Sequence, residues 1–198
     1  MNYLAHIYLS GENDLVTIGN FIADGIKGKD YRSYPQDIQT GILLHRHIDT
    51  YTDAHKIVRK STKRLHEKYS HYSGVIVDIL YDHFLAKNWS VYSNIPLDKY
   101  CDSFYDSLED NFDILPSRIQ YMMPYMIADN WLLSYASIEG IQNVLEGMNR
   151  RTKNRVQMNL AVNELQGFYN EFELEFTSFF EELILSSKDK LKILSSQK

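Results

Sequence analysis

The segment GILLHRHIDTYTD places His45, Asp49 and Asp53 four residues apart in succession. On a helix, that spacing stacks the side chains on one face. Ile42, Leu43, Leu44 and Ile48 surround them. Charges in such company must be paired, solvated in a cleft or bound to a metal, because a lone buried charge is too costly. The segment VDILYDHFLAKNW repeats the spacing with Asp78 and Asp82, and His83 follows about 100° further round the helix. Two carboxylates on one apolar helix face repel each other, and a divalent cation is a common cure. His6 in NYLAHIYL and Asp24 in GNFIADGIKG are further polar residues in apolar helices, and Asn20 shares a face with Asp24. Mixed imidazole and carboxylate donors suit manganese, iron, zinc or, less well, magnesium. Each group also has an ordinary alternative: a helix ion pair for His45 and Asp49, an exposed acidic face for Asp78 and Asp82, a core histidine for His6 and His83. No Ser stands in a nucleophile-elbow context, and there is no Gly-rich phosphate loop or Walker pattern.

These residues need helices to bring them together, and the chain predicts little else. Gly and Pro are sparse, nine and four among 198 residues, and apolar-periodic runs are long. The first helix is expected over Asn2 to Leu9, ending at Gly11. The second starts at Asn13 or Asp14, either of which can cap it, and runs to Lys27. Residues 28–34 form a loop. Pro35 suits the first turn of the third helix, which runs to Tyr51. A basic fourth helix covers Ala54 to His71. Ser73 caps a fifth that runs to Trp89, Pro96 opens a sixth, and Pro116 opens a seventh that Pro124 should kink or split. Helices over 134–148 and 155–186 follow. The expected architecture is all-α: one helical domain over 1–186 and a polar C-terminal tail over 187–198 that frays.

Composition narrows the function. An apolar fraction of 44% supports one sizeable core. A single cysteine, Cys101, excludes an internal disulfide and a cysteine-based zinc site. The N-terminus lacks the basic start of a signal peptide, and no run approaches the roughly 20 apolar residues of a membrane span. A cytoplasmic protein with no membrane partner is expected. The net charge of −5 argues against a dedicated nucleic-acid binder. The charge is uneven, however. Six basic residues lie between Lys56 and Lys68 against one acid, Glu67, and a second basic knot runs through Arg150, Arg151, Lys153 and Arg155. Such patches on an acidic protein suit an acidic macromolecular partner, or are solvated helix faces.

MNYLAHIYLS, GNFIADGIKG, GILLHRHIDTYTD, DILYDHFLAKNW and IQNVLEGM, in this order and at this spacing over positions 1–150, resemble the bacterial acyl-carrier-protein phosphodiesterases. The resemblance implies an all-helical fold like that of the HD phosphohydrolases. It implies a divalent cation, most often Mn2+, with Mg2+, Fe2+ or Zn2+ as alternatives. The implied reaction removes the 4′-phosphopantetheine arm from holo-acyl carrier protein, an acidic protein substrate, and leaves the apo-protein. His6, Asn20, Asp24, His45, Arg46, Asp49, Asp53, Asp78, Asp82 and His83 all stand where the family pattern has them. The HD motif follows its His with a metal-binding Asp, whereas this chain reads LLHR; Arg46 takes that place, and Asp24 or Asp82 is expected to substitute.

The resulting expectation is a cation held by His6, Asp24, His45 and Asp82, with His83 or Asp78 as further ligand or orienting partner. Asp49 is expected as acid or base. Arg46 is expected to clamp a phosphate oxygen, or else to pair with Asp49 or Asp53. Lys56, Arg59, Lys60, Lys63 and Arg64 are expected to dock the carrier protein. Two other readings compete: an HD-like phosphohydrolase acting on a small nucleotide or other phosphodiester, and a non-catalytic helical binding module whose Asp and His are structural.

Overall fold

The computed structural model describes residues 1–153 and 155–196. Their regular structure is helical throughout, with no strand among the described residues. Twelve α-helices follow one another: α1 (Tyr3–Tyr8), α2 (Asp14–Ile22), α3 (Gln36–Ala54), α4 (Lys56–Tyr69), α5 (Ser73–Lys87), α6 (Trp89–Tyr92), α7 (Leu97–Asp110), α8 (Ser117–Ala128), α9 (Trp131–Ser134), α10 (Ile138–Arg151), α11 (Ala161–Gly167) and α12 (Tyr169–Ser195). They share one apolar core. No described helix is long and apolar enough to cross a membrane.

The pairing of α2 with α3 sets the frame for the site. Asn13 caps α2 as its sequence position predicts, accepting from the Val16 amide at 3.1 Å. Where α2 meets α3, a Cβ on Gly19 would lie 2.2 Å from the Ile38 carbonyl oxygen, and one on Gly41 would lie 2.0 Å from that of Val16. Only glycine permits this approach of two backbones. It presses Asn20 of α2 against His45 of α3, one turn beyond Gly41. Helix α1 packs across α2 and α5 and delivers His6 from a third direction. Behind them α12 lays Phe172, Phe176, Phe179 and Phe180, all fully buried, against α3, α4 and α5.

Several boundaries differ from expectation. Helix α2 stops at Ile22 rather than Lys27, and a 3-10 turn over Ala23–Gly25 carries Asp24 out to the surface. Ser73 is the first residue of α5 rather than its cap, and its hydroxyl donates back to the Ser70 carbonyl at 2.7 Å. Pro124 does not split α8. The break comes at Asn130, whose left-handed backbone (φ 42°, ψ 60°) starts α9, its side chain accepting from Leu133. The expected helix over 155–186 divides into α11 and α12. Residues 187–195 are helical instead of a polar tail, because Ser187 and Leu194 are buried and Leu191 packs on Gly11.

Candidate metal centre

His6 and His45 come from different helices, yet their rings stack with centroids 4.1 Å apart and 20° between planes. One side chain orients both. The Asn20 Oδ1 accepts from Nδ1–H of His6 at 2.8 Å and from Nδ1–H of His45 at 3.2 Å. The opposite flip of the amide is excluded by its neighbours. Asn20 Nδ2 donates to the His6 carbonyl and to Ser10 Oγ, both at 2.9 Å, and Ser10 Oγ itself donates to that carbonyl. Fixing the proton on Nδ1 leaves Nε2 of each ring as the free donor atom, the usual arrangement for a metal-binding imidazole.

Asp49, one turn after His45, sits before both free nitrogens. Its Oδ1 lies 3.2 Å from His6 Nε2 and its Oδ2 lies 3.0 Å from His45 Nε2. Asp24 brings Oδ1 to 3.2 Å from His45 Nε2. The ligand atoms of His6, His45 and Asp49 all lie within 4.8 Å of one another, close enough to share one ion. Burial works to lower the His45 pKa, but its hydrogen bonds to Asp24 and Asp49 outweigh this and push it up to about 9. Burial lowers His6 to about 4 against the pull of Asp49. Burial works to raise Asp49, and the hydrogen bond from His45 holds it well below the carboxylate range nonetheless. The hydrogen bond from His45 likewise lowers Asp24. His6 Nε2, neutral and buried, thus faces an ionised carboxylate without a hydrogen bond to it. The two acceptor atoms, 3.2 Å apart, could share one cation.

The remaining expected ligands are elsewhere. Asp82 is fully buried, and its Oδ2 accepts the Leu4 amide at 2.7 Å, so it caps the N-terminus of α1 from α5. Asp78 pairs with the Met1 amine at 3.0 Å. His83 has both ring nitrogens engaged at 2.8 Å, Nδ1 with the Tyr135 carbonyl and Nε2 with the Tyr169 hydroxyl, which leaves none for a metal. Arg46 donates to the carbonyls of Gly28 and Ile26 and lies over the Tyr31 ring, so it braces the loop after α2 instead of reaching a phosphate or Asp49. Asp53 lines the cleft described next. Asn20 was legible only as a neighbour of Asp24 at helical spacing; its two-ring role arises from the α2–α3 approach.

The His–Asp cluster opens into a cleft of about 1120 Å3. Asp24, His45, Asp49, Asp53 and Asp78 line it, together with Arg118, Trp131, Met148, Arg150 and Arg151 from α8, α9 and α10. None of the five basic residues of α4 expected to dock a partner lines it. Arg64 makes a bidentate ion pair with buried Glu175 at 2.8 and 2.7 Å and stacks over Phe172, which anchors α4 to α12. Lys60 reaches the same carboxylate at 3.1 Å, and Arg59 donates to the Asp53 carbonyl. Lys56 and Lys63 are exposed.

Comparison with known proteins agrees with this frame. A family model described as acyl carrier protein phosphodiesterase matches residues 1–183. A protein of that name from Pectobacterium atrosepticum is 29% identical over 189 residues, 95% of this chain and 98% of the relative. Its namesakes from Yersinia pestis and Serratia proteamaculans are each 28% identical over 191 residues, 96% of this chain and 99% of theirs. No solved structure matches the chain.

Proposed function

The chain belongs to the acyl carrier protein phosphodiesterase family and is a phosphodiester hydrolase, and from that premise we propose that it removes 4′-phosphopantetheine from holo-acyl carrier protein with a divalent cation, Mn2+ first among candidates. The observation that carries this reading is the shared Asn20 oxygen, which leaves two imidazole Nε2 atoms and the Asp49 carboxylate converging on one point. His6, His45 and Asp49 would hold the ion, with Asp24 at the edge. When bound, it supplies Lewis-acid polarisation of the phosphoryl oxygen and a lowered pKa for water. Asp24, exposed and kept ionised beside His45, would take a proton from the attacking water. The water oxygen joins phosphorus as the bond to the serine oxygen breaks. The serine oxygen leaves with a proton, giving apo-carrier protein and the phosphopantetheine monoester.

Likeness to the HD phosphohydrolases is part of the same reading. It draws on the all-helical frame and on His and Asp donors from separate helices. Arg46 occupies the position of the HD motif's Asp, and Asp49, one helical turn from His45, supplies the carboxylate on the correct face. The test is to incubate the protein with holo-acyl carrier protein and Mn2+ and follow the carrier by mass spectrometry. The expected result is loss of the phosphopantetheine arm, abolished by a chelator and restored by metal. A carrier mass unchanged under all metals overturns the reading.

A further inference from the structure

The scissile bond of this reaction joins phosphorus to a serine oxygen of the carrier, so the carrier's own surface must come against the rim of the cleft. The rim beside the His–Asp cluster therefore selects the partner, and its chemistry is uneven. Around the His–Asp cluster the lining carries Asp53, together with Asp24 paired to His45 and Asp78 paired to the Met1 amine. The same cleft is also lined by Arg118 near the start of α8 and by Arg150 and Arg151 at the end of α10. All three arginines are exposed, and among the described residues no carboxylate forms an ion pair with any of them. They differ in this from Arg64, Lys60 and Lys68 of α4, which are engaged with Glu175 and Glu164.

The arginine side continues outward as an aromatic one. Arg118, Tyr121 and Tyr125 fall three and four residues apart and so share a face of α8. Tyr121 is 75% and Tyr125 56% exposed, with ring centroids 5.8 Å apart. Exposed tyrosines next to unpaired arginines are the composition of a protein-binding hot spot more than of a solvated face. Tyr3 ties these arginines to the cluster: it lines the same cleft, and its hydroxyl is near enough to feel both Asp24 and the opposing charges of Arg151 and Arg118. We propose that Arg118, Arg150 and Arg151, with Tyr121 and Tyr125, form the docking surface for the carrier, and that they engage an acidic face flanking its modified serine. This inference rests on the carrier-protein reading above. It moves recognition from α4, where the basic run is longest, to the arginines lining the cleft, which no carboxylate pairs among the described residues.

Charge reversal with rescue tests it. Arg118→Glu and the double variant Arg150→Glu/Arg151→Glu are assayed on holo-carrier at low and high salt, with melting temperature as a check on folding. The expected result is a KM raised about tenfold at low salt, a kcat within about threefold, and a smaller difference at high salt. Replacing acidic residues beside the carrier's serine with lysine should weaken turnover by the unsubstituted enzyme and restore it to the reversed variants. Reversal of Lys56 and Lys63 should have the weaker effect. Unchanged KM in the arginine variants, with the unsubstituted enzyme active, overturns the inference alone. A fall in kcat at saturating carrier that no carrier substitution restores also overturns it, and places the arginines on the scissile phosphate. No turnover by the unsubstituted enzyme overturns the carrier-protein reading and this inference with it.

Discussion

The imidazoles of His6 and His45 stack 4.1 Å apart and turn Nδ1 to one oxygen of Asn20, so two histidines from different helices present their Nε2 atoms side by side. Stacked imidazoles cannot both be protonated cheaply, and burial keeps His6 neutral while His45 takes the proton. On the proposed reading, a metal would take the place of that proton.

Asn20→Ala should release both rings. Loss of an orienting partner typically costs about ten- to a hundredfold in metal affinity. The Asn20 amide also satisfies the buried His6 carbonyl, so the variant should lose about 1–3 kcal/mol of stability. Calorimetric titration with Mn2+ and urea unfolding measure the two effects separately. Native metal affinity in the variant would remove Asn20 from the site.

His45→Ala and His83→Ala should part company. The first removes a proposed ligand and should abolish both hydrolysis and any rise in melting temperature on adding Mn2+. The second breaks the links to Tyr135 and Tyr169 and should lower the melting temperature while preserving the response to metal. An equal metal response in both variants would contradict the assignment.

The metal-free protein should show a His45 signature in its pH dependence. Its folded pKa of about 9 exceeds the ordinary 6.5, so the stabilisation is complete below about pH 6.5 and disappears as pH rises through 9. The His45→Ala variant should lack this decline. Metal binding must displace the same proton, so affinity should rise with pH over that range, and proton uptake by the buffer should accompany binding. Imidazole NMR titration of His45 checks the value; a midpoint near 6.5 would refute it.

Asp82 gives an opposite test. Burial raises its pKa from 3.8 to about 7. The native state therefore favours the protonated form, and that contribution is full below pH 3.8 and lost as pH rises through 7. Asp82→Asn keeps an oxygen for the Leu4 amide and removes the titration. It should melt higher than the parent at pH 8, match it near pH 4 and still respond to Mn2+. Loss of the metal response would return Asp82 to the ligand set.

Arg64 should behave as a structural residue. Arg64→Ala leaves Glu175, 6% exposed, without its bidentate partner, and breaking a buried pair costs about 3–5 kcal/mol. Lys60 and Ser61 remain on that carboxylate, so the lower end is expected. Urea denaturation measures it, and a change below about 0.5 kcal/mol would mean that the pair contributes as little as an exposed one.

The all-helical class and most helix positions follow from the sequence alone, because apolar periodicity and caps such as Asn13 act within a few residues of one another. His6, Asp24, His45 and Asp49 also stand out there, as polar groups on apolar helices. What local spacing does not contain is which of the polar groups meet. Asp82 and Asp49 read alike along the chain; the crossing of α1 over α5 gives one a helix N-terminus to cap, and the Gly19–Gly41 contact brings the other before two imidazoles. The basic residues of α4 looked like a docking face for the same reason. Only tertiary packing supplies Glu175 from α12 as the partner of Lys60 and Arg64 and Glu164 from α11 as that of Lys68, while placing Arg118 and Arg150 at the cleft with no carboxylate partner among the described residues. Helix formation is decided within a few residues, whereas coordination and pairing are decided over a few ångströms between residues far apart in the chain, and only the folded packing sets those distances.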